Sequence, residues 1–174
     1  ANILINCGCA TLEDQPYDQN IFTTFPSEAS FDNAINYRCN AAYYVNTSSQ
    51  SGITQVKELL CENKLSVLGI YVWGNFDNIQ NYDYVYCSVN KTGSNRGGHA
   101  IAIVGYDDSL MTNDGPGAFK FVNSWGTGWG QLGYGWISYK AVLDLTLTQG
   151  FAYFITDKLG YNPILKSIIK VSHN

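Results

Sequence analysis

The sequence predicts an α+β fold, with one or two helices placed before a set of antiparallel strands. Three observations carry that prediction. Aromatic residues make up 14% of the chain, with 13 Tyr and 17 Gly, a mix that suits short strands joined by turns better than a helical bundle. One segment, 51–63, has a clear helical stripe. The second half of the chain is a series of strand-length apolar runs separated by turn residues.

In chain order, residues 1–6 read as the end of a helix already under way, and residues 14–18 as a turn. Segment 27–38 is a short helix with Phe31, Ala34 and Ile35 at helical spacing. Residues 42–46 form a strand. The helix over 51–63 is capped by Ser51 and builds one face from Ile53, Val56, Leu59 and Leu60, with Cys61 packed on it as a small hydrophobe. Residues 65–73 are a buried strand by composition, and 75–98 are a loop rich in Asn, Tyr and Gly. Strands follow over 99–106, 118–123, 134–139 and 151–156, with a turn-rich connection at 107–117. Pro163 breaks the chain before a last strand at 164–172. Both ends are expected to be cut from something longer.

Composition narrows the function classes. Hydrophobic residues reach 45% and charged residues 14%, so the chain can build a core. The net charge of −4 is spread thinly and no basic run exists, which argues against a nucleic-acid partner. No run approaches the ~20 apolar residues of a membrane helix, so no membrane partner is expected. The chain opens at Ala1 without a basic stretch, so no signal peptide is expected. Five cysteines leave at least one unpaired unless a partner lies elsewhere, and their spacing offers no paired CxxC. No metal and no organic cofactor is implied. Asn46-Thr47-Ser48 and Asn90-Lys91-Thr92 fit the glycosylation pattern.

The chemistry gathers at one of two histidines. His173 sits near the C-terminus without polar company. His99 follows Asn95-Arg96-Gly97-Gly98 and opens the apolar strand Ala100-Ile101-Ala102-Ile103-Val104. Asn123 comes 24 residues later, at the end of a second strand and before two Trp set among glycines. If the two strands lie side by side, the start of the first meets the end of the second, and Asn123 meets His99. An amide oxygen on one imidazole nitrogen fixes the ring without adding charge, and the other nitrogen can then serve a cysteine thiolate. The indole of Trp125 could shield that hydrogen bond from water.

Gly98-His99-Ala100-Ile101-Ala102-Ile103-Val104-Gly105-Tyr106-Asp107 resembles the histidine motif of the papain-like cysteine peptidases. Asn123-Ser124-Trp125-Gly126-Thr127-Gly128-Trp129-Gly130, running on to Gly133-Tyr134, resembles their asparagine motif. Gly8 to Tyr17 resembles the stretch before a Pro-Tyr turn in prokaryotic-type members. Residues 65–70 resemble a strand that walls a substrate pocket.

The resemblance covers residues 1–156. It implies a papain-like fold in which this chain holds mainly the antiparallel, barrel-like β-rich domain and a stub of the helical one. Residues 157–174 would be a linker and the start of a following strand or domain. It implies hydrolysis of peptide bonds through an acyl-thioester, with peptide or protein as substrate. His99 would be the general base, Asn123 would orient it, and Trp125 would cover the pair; Gly69, Gly98 and Ala100 would line substrate subsites.

The chain departs from the family pattern at the nucleophile. The family's Gln-x-x-x-Cys-Gly-Ser-Cys-Trp-like block lies roughly 130–150 residues before the His and Asn, and no such block is present. Cys7 and Cys9 stand in Asn6-Cys7-Gly8-Cys9-Ala10, but no Gln precedes them and no aromatic follows. The expectation is therefore a fragment, inactive alone, whose partner is the missing N-terminal segment of the same polypeptide. A faint likeness at the C-terminal end to large secreted members favours an extracellular location over the cytoplasm. The alternative is a non-catalytic papain-like domain that binds peptide or polymer. That alternative gives no chemical reason for keeping His99, Asn123 and the Trp support together.

Overall fold

The computed structural model describes residues 1–18 and 20–159. The strand expected at 164–172 and His173 lie outside the described residues. The described residues divide into two compact units, one holding residues 1–42 and 156–159, the other Tyr43–Ile155.

The first unit contains α1 (Asn2–Asn6) and α2 (Glu28–Ala34), the latter followed by a 3-10 turn over Ile35–Tyr37. Ser27 starts α2, its hydroxyl accepting from Ser30 N–H at 3.1 Å. Gly8 sits at φ +91°, and a Cβ there would lie 1.8 Å from Ala34 O. Only glycine allows that approach. Cys7 and Cys9 are exposed on this unit, and Cys39 is buried.

The strands are β1 (Cys39–Asn46), β2 (Ser66–Tyr71), β3 (Val85–Tyr86), β4 (Gly98–Thr112), β5 (Gly115–Val122), β6 (Tyr134–Ser138) and β7 (Thr148–Asp157). They lie in one seven-stranded sheet in the order β1-β7-β2-β4-β5-β6-β3. Neighbours β2–β4, β2–β7, β4–β5 and β5–β6 are antiparallel, whereas β3 pairs parallel with β6, against the expectation of a purely antiparallel set. The sheet is open, with β1 and β3 as its edges, rather than closed into a barrel.

One face of the sheet is covered. Leu68, Ile70, Ile101, Ile103, Phe119, Phe121 and Ile137 alternate along their strands onto that face. They pack with Ile53 and Val56 of α3 (Gln50–Cys61) and with Ala141 and Val142 of α5 (Tyr139–Leu143). Burial of each such large apolar side chain is worth about 1.5–3 kcal/mol. The cap of α3 is Ser49 rather than Ser51, with Ser49 Oγ accepting from Gly52 N–H at 3.4 Å. Cys61 corrects another expectation. It lies about 100° around the helix from Leu60, off the apolar stripe, so it is exposed, with its sulfur 3.5 Å from Tyr106 Oη.

The region expected to be a loop at 75–98 contains α4 (Gly74–Asp77), a 3-10 turn over Ile79–Tyr82, and β3. The hairpin between β4 and β5 is tighter than expected, because β4 runs on to Thr112. Asp107 does not end the strand. Its carboxylate accepts from Ser109 N–H and Leu110 N–H at 2.8 and 3.1 Å. The result is a bulge that shifts the register from Asp107↔Ala118 to Met111↔Pro116.

Candidate active site

His99 is the second residue of β4, and its backbone lies opposite Ile70 of β2. The two-residue period puts its ring on the same face as Ile101 and Ile103, at the open end of the core. Asn123 follows directly on β5, whose Val122 pairs with Ala102 of β4, and its N–H donates to Gly133 O at 2.8 Å. The antiparallel register brings the start of β4 to the end of β5. His99 Nε2 and Asn123 Oδ1 are 2.8 Å apart.

A second contact fixes the direction of that hydrogen bond. Ser124 N–H donates to the same Asn123 Oδ1 at 2.8 Å. The amide must therefore present its oxygen, because its NH₂ would oppose two donors. His99 then donates from Nε2, which in a neutral imidazole leaves the lone pair at Nδ1. Nδ1 makes no hydrogen bond among the described residues. Such a ring can take a proton at Nδ1 and return it, with its orientation held from the far side.

Aromatic side chains wall this corner. The Trp125 ring lies 5.1 Å from the His99 ring, tilted by 36°, and stays 41% exposed. It lies against one flank of the His99 ring. Phe76 of α4 is fully buried and meets His99 at 5.9 Å and Trp125 at 5.3 Å, both near edge-on. Trp129 Nε1–H donates to Phe76 O at 3.2 Å, which holds α4 in place. Asn123 is itself only 7% exposed, and its Nδ2 has no partner among the described residues.

The expected substrate-facing residues Gly69, Gly98 and Ala100 come together on the other, more open face, with Gly69 opposite Ala100 in the β2–β4 pair. Gln149, which shares that face, carries no signal in the sequence pattern. A Cβ on Gly69 would lie 2.6 Å from Gln149 Oε1, and one on Gly98 would lie 3.5 Å from Gln149 Nε2. The Gln149 side chain thus runs across the trough that the two glycines leave. Phe76 was missed as well; its spacing of three from Ile79 was the only local signal.

The cysteines of this unit are placed elsewhere. Cys87 is buried, and burial, reinforced by the Asp114 carboxylate, pushes its thiol pKa up, against thiolate formation. Cys61 lies on the outer side of α3 beside Tyr106.

The model of the papain family cysteine proteases matches residues 2–152. The chain belongs to the papain family of cysteine proteases. No curated protein sequence matches it. Among solved structures, this papain-family chain is similar to xylellain, a cysteine protease from Xylella fastidiosa, at 24% identity and TM-score 0.69, covering 89% of this chain and 59% of that one. It is also similar to procathepsin B S9 from Trypanosoma congolense, at 20% identity and TM-score 0.61, covering 90% and 51%. A third match is the cysteine protease and lectin-like domains of Cwp84, a surface layer associated protein of Clostridium difficile, at 20% identity and TM-score 0.59, covering 88% and 34%. The chain thus spans less than two thirds of each of these relatives. At these identities the likeness establishes the papain-like fold. Among the described residues, no helix is long and apolar enough to cross a membrane.

Proposed function

We propose that this chain supplies the histidine and asparagine of a cysteine peptidase whose nucleophile lies on a segment of the same polypeptide outside these 174 residues. One observation carries the proposal: His99 Nε2 is held on Asn123 Oδ1 at 2.8 Å while Nδ1 makes no hydrogen bond among the described residues. In the proposed reaction, a cysteine thiol gives its proton to His99 Nδ1, and the thiolate attacks the peptide carbonyl carbon. The imidazolium then protonates the leaving amine as the C–N bond breaks, leaving an acyl-thioester. His99 next takes a proton from water, the hydroxide displaces the sulfur, and a carboxylic acid and the thiol are released. Asn123 orients the ring throughout, and Trp125 covers the hydrogen bond.

Gly69, Gly98 and Ala100 form the substrate wall in this reading. Gln149 narrows it, so Gly69 meets a substrate side chain only when Gln149 swings aside. The absence of a Gln-x-x-x-Cys-Gly-Ser-Cys-Trp block supports an external nucleophile. So does the buried, high-pKa character of Cys87. An extracellular setting for the parent protein agrees with Cwp84 being a surface layer associated protein.

The test is labelling with a mechanism-directed epoxide at pH about 6, where an ordinary thiol is almost wholly protonated. A fluorogenic dipeptide assay runs beside it. The expected outcome is no selective label and no cleavage by this chain, with both appearing in the full-length parent and vanishing in its His99→Ala variant. Fast labelling of Cys7 or Cys9 together with cleavage would overturn the external nucleophile.

A further inference from the structure

Arg96 and Asp77 take no part in the chemistry above, yet they meet beside it. The segment that leads into His99 is glycine-rich, with Gly93 at φ +72° and Gly97 at φ +113°. Such backbone is costly to order and needs fixing from outside. Thr92 O accepts from Gly74 N–H at 2.8 Å, at the N-terminal end of α4. Arg96 N–H donates to Val72 O at 2.8 Å, and Val72 N–H donates to Gly97 O at 2.9 Å. Asn95 Oδ1 accepts from Gly97 N–H at 2.8 Å.

The remaining tie is an ion pair between the Arg96 guanidinium and the Asp77 carboxylate. Asp77 is the last residue of α4 and the immediate neighbour of Phe76. Phe76 is the buried ring that stands against both His99 and Trp125. The backbone ties reach the residues before α4 and its first residue. The ion pair alone joins the entering segment to the far end of α4, among the bonds of the described residues.

We infer that Arg96 and Asp77 are positioning residues for His99, holding the start of β4 and the Phe76 wall in one register. The inference rests on reading His99 as the base, since only then does the setting of its ring bear on function. Arg suits the task because its planar fork fixes direction as well as charge.

The test uses the present chain with His173→Gln, which leaves His99 as the sole imidazole. Solvent exchange of the His99 Nε2 proton is followed by NMR, with the Ile103 and Phe119 amides as internal controls. Arg96→Gln is expected to speed that exchange about three- to fivefold, the upper range for a partly exposed ion pair, with the two control amides unchanged. The double exchange Arg96→Asp with Asp77→Arg is expected to restore protection to within about twofold. Without any change at Arg96, raising salt from about 0.05 to 1 M should move the parent chain toward the Arg96→Gln value.

Asn123→Ala serves as the separate control and should abolish protection. If it does not, the pairing of His99 with Asn123 fails as a functional reading. If that control behaves and neither Arg96→Gln nor salt changes the His99 exchange, the positioning role is wrong. Equal acceleration at Ile103 also overturns it, because the pair would then be a general stabiliser.

Discussion

Two polar clusters in the β-rich unit make an instructive pair. At Asp114, every strong bond is used up within the protein. Its carboxylate accepts from Ser88 N–H at 2.6 Å, from Val89 N–H at 3.0 Å and from the Ser138 hydroxyl. Ser138 Oγ in turn accepts from Ala141 N–H at 2.9 Å and so starts α5. At His99 the bonds run in one direction and then stop. Ser124 N–H and His99 Nε2 both end on Asn123 Oδ1, and the opposite ring nitrogen has no partner among the described residues. A closed cluster spends its hydrogen bonds on stability, while an open one leaves a ring nitrogen available, the nitrogen that the proposed reaction uses.

The comparison can be broken by mutation. His99→Ala should lower kcat/KM of the full-length parent by about 10³-fold or more, in line with loss of a general base. It should change stability by less than about 1 kcal/mol, as seen by urea unfolding. Asp114→Ala should do the reverse. Its loss strands two backbone donors and a hydroxyl, a cost of about 2–4 kcal/mol, while leaving the His99–Asn123 distance intact. If Asp114→Ala proves neutral in urea and His99→Ala unfolds the chain, the contrast is wrong.

A smaller effect is expected with pH. Burial raises the Tyr86 hydroxyl pKa, and burial together with the Asp108 carboxylate raises that of Tyr139. Both hydroxyls keep their protons in the folded chain at a pH where the unfolded chain has begun to lose them. Their contribution to stability is therefore present below about pH 10 and declines as pH rises above it. Unfolding followed from pH 8 to 11 should show that decline, and Tyr139→Phe should flatten it. The least effect belongs to Asp108, whose pKa is lowered by Tyr139 and Lys57. Its contribution is present above the ordinary carboxylate pKa of about 4 and fades as pH falls below it. Lys57→Met should reduce that acid dependence only slightly, because the Asp108 end of the pair is exposed.

What the sequence could convey follows from the physics of each element. Helix α3 was legible because its stripe of Ile53, Val56, Leu59 and Leu60 runs for about two turns. The pairing of His99 with Asn123 was legible because two strands and a short connection leave few ways to lie. Helix α4 was not legible, since four residues have no period; the indole of Trp129, far along the chain, bonds its Phe76 carbonyl. Helix α5 directly follows a strand-like aromatic run and overlaps it only at Tyr139, and its start depends on the Ser138 hydroxyl. Asp107 read as a turn residue because its carboxylate does gather nearby N–H groups, but the β5 partner strand turned that habit into a bulge. Gln149 carried no signal, because its place depends on the absence of side chains at Gly69 and Gly98.

The clamp on Asn123 Oδ1 also has a consequence in time. A histidine side chain that must be oriented at each encounter adds an entropic cost of order 1 kcal/mol to every event. Here the contact with Asn123 Oδ1 sets the ring's direction ahead of any encounter. In the proposed reaction, an arriving group would meet a ring already aimed, and the search would be left to that group alone.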